Sequence, residues 1–180
     1  MLHGLLAMAP VDLGHVAALG VALAAAVVDL RSRRIPNALT VTAAVLGLAW
    51  QAATGGTSGL VGSAAGVAIG GAVFFPIFAL GGLGGGDVKL MAALGAWVGP
   101  IPVLWIAIYT AMAGAMLAVV VSLACGYVGE AIRNLRNLVV LWATGGVRAV
   151  PALTLESSPG PRLAYAIPIL VGTAGALWWR

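Results

Sequence analysis

The feature that most limits this chain is a succession of long apolar runs, separated only by brief polar or glycine- and proline-containing breaks. A helix needs about 20 apolar residues to cross roughly 30 Å of hydrocarbon. One run covers residues 11–28 and ends at Asp29 and the basic cluster Arg31, Arg33 and Arg34. A second begins after Pro36-Asn37 and covers residues 38–53, closed by the turn composition Gly55-Gly56-Thr57-Ser58. A third covers residues 59–80 and leads into the glycine-rich stretch 81–86. A short fourth run, 87–98, stops at Gly99-Pro100-Ile101-Pro102; a fifth covers 101–128 and the last 163–179. The expected fold is all-α: one domain over residues 1–180, a polytopic membrane protein with about six transmembrane helices.

Charge supports this reading. Charged residues make up 8% of the chain, against about 25% in soluble domains. So few charges do not cover a water-soluble surface, which excludes a cytosolic globular enzyme. Disorder, collagen-like repeats and nucleic-acid binding need compositions that are absent. The single cysteine, Cys125, excludes an internal disulfide framework and a multi-cysteine zinc site. The first run has no basic segment before it, so it reads as a retained helix and not a secretory signal.

Cytoplasmic loops collect Lys and Arg. With the N-terminus outside and six crossings, Arg31, Arg33, Arg34, Lys89, Arg133, Arg136, Arg148 and Arg162 fall inside, and only Arg180 falls outside. Gly62, Gly66 and Gly70 recur every four residues in the third run, a spacing that allows close helix packing in lipid. Residues 129–162 form the one long polar stretch, expected as a cytoplasmic loop. Within it, Ile132, Leu135, Leu138, Val139 and Trp142 share a side that Arg133, Arg136 and Asn137 avoid. That pattern fits a helix lying on the inner membrane surface, with lipid as partner, or a continuation of the fifth helix.

Five acids remain as candidates for chemistry. Asp12 suits the positive end of the first helix, and Glu130 and Glu156 belong to the polar loop. His3 and His15 are too few for a metal site. Asp29 ends an apolar helix where the helix dipole disfavours a negative charge; a salt bridge with Arg33 is its ordinary explanation. Asp87 follows six residues of which five are glycine, and its ordinary explanation is a helix N-cap. The topology nevertheless puts Asp29 and Asp87 at one depth on one membrane face. Asp12 replaces neither, being 17 residues from Asp29, about 25 Å along a helix. Paired acids in a restricted site point to general acid–base work, with one carboxyl protonated and its partner ionised.

Two motifs carry a resemblance. The first is Asp29-Leu30-Arg31-Ser32-Arg33-Arg34-Ile35-Pro36-Asn37, an aspartate followed after five residues by Ile-Pro. The second, Gly84-Gly85-Gly86-Asp87-Val88-Lys89-Leu90, matches GxGDxKL at every specified position. A weaker echo is Pro161-Arg162-Leu163-Ala164-Tyr165-Ala166-Ile167-Pro168. The chain thereby resembles the type IV prepilin peptidases, membrane aspartic proteases of the GxGD type, over residues 11–179.

The resemblance implies removal of a basic leader from prepilin-like proteins at the cytoplasmic membrane face. Asp29 and Asp87 are then the catalytic pair, with no metal, nucleotide or other cofactor required. Gly84, Gly86, Lys89, Ile35, Pro36 and Asn37 are expected to bind substrate or shape the site. Lys89 has a simpler explanation as a positive-inside anchor. Larger members that also methylate carry cysteine pairs between early helices; here that connection is about nine residues long, as in the short, peptidase-only form. Such forms serve tight-adherence pili, other type IV pili or archaeal flagellins. Two rivals stand beside this reading: a small ion- or proton-coupled transporter using Asp29 and Asp87, and a non-catalytic membrane scaffold. Neither accounts for the combined motif spacing.

Overall fold

A computed structural model describes residues 13–147, 150 and 164–178. Asp12, His3, Glu156, Arg148, Arg162, Arg180 and most of the polar stretch beyond residue 147 lie outside them. Among the described residues there are six helices and no strand: α1 (Leu13–Ser32), α2 (Asn37–Ala79), α3 (Gly85–Val98), α4 (Pro100–Ala124), α5 (Val128–Gly145) and α6 (Ala166–Trp178). α1, α2 and α4 are long and apolar enough to cross a membrane, and α6 is a shorter apolar helix. The protein is an all-α membrane protein.

The second and third apolar runs meet in α2, whose 43 residues would extend about 65 Å if straight. They fold back instead. Gly56 leaves the helical region at φ 59°, ψ −143°, a backbone angle that glycine adopts without a steric penalty. Beyond it, a Cβ on Gly59 would collide with the Gln51 carbonyl oxygen, although eight residues of straight helix would separate the two by about 12 Å. Both arms then line α3. On the first arm Gln51 Nε2 donates to the Trp97 carbonyl at 2.7 Å. On the second, Ser63 Oγ donates to the Ala96 carbonyl at 2.7 Å, and Gly70 lies against the Met91 carbonyl. The arms therefore run antiparallel, and the glycine turn expected at residues 55–58 is where they reverse.

α3 is the centre of the bundle. Its 14 residues span only about 21 Å, and Leu90, Met91, Ala93, Leu94 and Ala96 are wholly buried. Close packing around it depends on missing side chains. A Cβ on Gly66 would strike the Gly95 carbonyl oxygen, and a Cβ on Gly95 the Gly66 carbonyl oxygen. The expected face of Gly62, Gly66 and Gly70 needs one correction: Gly62 has nothing within 4 Å of its Cβ position, and Ser63 makes the contact in its place. A spacing of four drifts off an axis of 3.6 residues per turn, whereas 63, 66 and 70 stay on it.

Helix ends are closed by identifiable motifs. After α2, Gly81 at φ 79° donates to the Phe78 carbonyl at 2.9 Å and Gly82 to the Ile77 carbonyl at 2.8 Å. This pair of hydrogen bonds is a Schellman stop. α4 ends the same way: Gly126 at φ 66° donates to Leu123 at 3.3 Å and Tyr127 to Ser122 at 2.8 Å. α5 is thus a separate helix and not a continuation of α4.

Candidate functional site

α1 buries a small-residue face of Gly14, Ala18, Ala22, Ala25 and Ala26, and this face ends at Asp29. A larger residue at these positions would hold α1 away from its neighbours. The helix closes when the Arg33 amide, at φ 54°, donates to the Asp29 carbonyl at 2.8 Å. The left-handed residue turns the chain towards Ile35 and Pro36, and Pro36 stands at the N-cap of α2 with φ −64°.

Asp87 occupies the first turn of α3, which begins two residues earlier than the expected start at Asp87. It does cap the helix, but from inside it: Gly84 is the N-cap, and its amide donates to Asp87 Oδ2 at 3.2 Å. This is the returning half of a capping box, with glycine at the position whose side chain would make the other half.

The two sequence motifs interlock along this edge. A Cβ on Gly86 would lie 3.1 Å from Ile35 Cβ, so the third glycine of the second motif makes room for the isoleucine of the first. Lys89 Nζ donates to Asn37 Oδ1 at 2.8 Å, which gives the lysine a specific partner beyond a general role as an inside anchor. Asp29 and Asp87 are each 8% exposed, and the contacts between their motifs bring both to this edge.

A third element closes the cluster. The Ala166 amide, first in α6, points at Asp29 Oδ2 at 3.5 Å, the outer limit of a hydrogen bond. Asp29 thus ends one helix, where its charge is opposed, but faces the start of another, where an anion is favoured. The neighbouring Tyr165 packs edge-on to Phe74, ring centroids 6.3 Å apart. Gly114 of α4 admits this ring: a Cβ there would sit 2.8 Å from the Tyr165 oxygen. The sequence signal for Tyr165 and Ala166 was only the weak 161–168 echo, of which residues 161–163 lie outside the described residues. Nothing in the local sequence pointed to Phe74 or Gly114.

Two buried carboxyls of this kind can exchange protons with a molecule placed between them. Among the described residues no group of three or more His, Cys, Asp or Glu is arranged to hold a metal ion. Against known proteins, the model of the type IV leader peptidase family matches residues 16–119 of this chain. Nothing matches among curated proteins or among solved structures.

Proposed function

The chain belongs to the type IV leader peptidase family, and from that premise we propose that it is a membrane aspartic endopeptidase that removes the basic leader from prepilin-like proteins. Asp29 and Asp87 are its catalytic pair. The observation that carries this reading is the clasp between the two motifs, which brings one buried carboxyl from each to the same edge of the bundle. Isolated acids on lipid-facing helices would have no reason to be assembled through a glycine-permitted approach and a hydrogen bond between their motifs.

In the proposed reaction a water molecule sits between the two carboxyls. The ionised one takes a proton from the water as its oxygen bonds to the scissile carbonyl carbon. The protonated one hydrogen-bonds the carbonyl oxygen as negative charge builds there. Collapse of the tetrahedral adduct breaks the C–N bond, and a carboxyl proton passes to the leaving amine. In the proposed reaction the pair therefore shares its protons. Burial strengthens each of these interactions, because little water remains to screen them.

The acids fall at the ends of apolar helices beside Arg31, Arg33, Arg34 and Lys89, and basic residues gather on the cytoplasmic side. The proposed site thus works at the cytoplasmic face of the cell membrane, with the N-terminus outside. A substrate whose leader precedes a membrane helix would present its cleavage site at that boundary. The test is co-expression with a prepilin-like protein, reading leader removal as a gain in electrophoretic mobility. A shift requiring this chain supports the proposal; an unshifted substrate together with an ion flux sensitive to Asp29 and Asp87 overturns it in favour of transport.

The Asn37–Lys89 bond yields a graded expectation. Both side chains are exposed, so the bond adds about 0.5–1.5 kcal/mol and holds α2 and α3 in register at the acids. Asn37→Ala and Lys89→Met should each slow processing severalfold without abolishing it. The double variant should be no slower than the worse single one, and Asn37→Asp, which keeps an acceptor, should process normally. Additive losses in this double-mutant cycle would mean that the two residues act separately.

A further inference from the structure

α5 stands apart from the bundle. None of its residues is buried, and Ile132, Leu135 and Val139 are 63%, 63% and 56% exposed. At 100° per residue these three fall on one side with Val128 and Trp142, while Glu130, Arg133 and Asn137 take the opposite side. Arg136 flanks the apolar side. A helix of this pattern gains nothing from standing in water, and the bundle leaves Ile132, Leu135 and Val139 uncovered.

Its position says what does. α4 is long and apolar enough to cross a membrane, and Met116, Val119, Val120 and Leu123 on its last turns are all more than half exposed, as lipid-facing residues are. α4 stops at the Gly126 turn, and only Cys125, Gly126 and Tyr127 separate it from α5. α5 therefore starts where α4 leaves the hydrocarbon.

We propose that α5 is a membrane-surface helix. It lies in the plane of the leaflet that α4 exits, with Ile132, Leu135, Val139 and Trp142 in the boundary between headgroups and acyl chains. Glu130 pairs with Arg133 at 3.1 Å across one turn, which leaves Arg136 as the basic group beside the apolar side. A long basic side chain there lays its stem on the lipid and its guanidinium among anionic headgroups. The occupant of this face is thus the protein's own bilayer, and α5 fixes how far α4 rides out of it.

The test uses the full chain in lipid nanodiscs containing phosphatidylglycerol, with the exposed Cys125 replaced by Ser. Single cysteines are placed at Leu135 or Asn137, both exposed in the folded chain, and labelled with a charged maleimide. Insertion of the apolar side protects a leucine-sized group, so Leu135→Cys should label at least about tenfold more slowly than Asn137→Cys. The protection should persist when each disc holds one copy of the chain, and Arg136→Gln should weaken it. Equal rates at the two positions would overturn the proposal. Protection lost when each disc holds one copy would also overturn it, by assigning the face to a second chain.

Discussion

Asp29→Asn and Asp87→Asn are each expected to abolish leader removal while leaving the chain folded and inserted. Asparagine keeps the shape of aspartate and one acceptor oxygen. The Gly84 amide therefore retains a partner at position 87, and the Ala166 amide one at position 29. What is lost is the ability to take and return a proton, a contribution of about 10²–10⁴-fold to rate. Each variant alone removes the shared-proton arrangement, so the double variant should be no slower than either single one. Folding should not suffer, because neither replacement adds a buried charge and both amides keep an acceptor. The measurement is the mobility shift of a co-expressed prepilin-like substrate, paired with thermal unfolding of each purified variant in detergent. A normal processing rate in either variant would sink the catalytic pair. Loss of processing together with loss of folding would assign the acids to stability instead.

The second large effect is expected at Gly66, far from any charge. Its Cα faces Gly95 so closely that a Cβ on either residue meets the other's carbonyl oxygen. Backbone has no rotamer to change, so Gly66→Leu must push the second arm of α2 off α3. Overpacking of this kind costs about 1–3 kcal/mol or more. Because α3 carries Asp87 and the same arm carries Phe74 against Tyr165, processing should fall along with stability. Gly62→Leu supplies the comparison. It lies one turn away in the same helix with open space around its Cβ position, and its effect should stay within about 0.5 kcal/mol. Equal melting temperatures for the two leucine variants would show that the close approach is not what holds the helices together.

Much of the candidate site's local framework was legible in the sequence, for a physical reason. The motif residues are local: Gly84, Gly86 and Asp87 share one loop and helix start, and Asp29, Ile35, Pro36 and Asn37 one short connection. Glycines and prolines restrict backbone angles over a few residues, so their spacing survives as sequence pattern. The Gly55-Gly56 turn was readable on the same ground. Gly62 was not, because a repeat of four looks like a helix face in sequence and only the actual partner decides which residues touch it. Asn37 and Lys89 could be named separately, but their bond spans 52 positions and depends on how two helices meet.

Asp29 carries the clearest division. From sequence it was an acid at the wrong end of its own helix, with Arg33 as the nearest remedy. In the folded chain the start of α6, 137 positions away, supplies an amide to its carboxyl, and Tyr165, next in the chain to that amide, is seated against Gly114. The sequence by itself determined that the chain belongs in a membrane, about where most of its helices run and which two acids merit attention, because hydropathy and backbone restriction act over neighbouring residues. Only the tertiary structure decided which amide meets Asp29, which small residues seat α3 and which helix is left uncovered. Those depend on contacts between distant segments, and the free energy of such a contact exists only once both surfaces are in place.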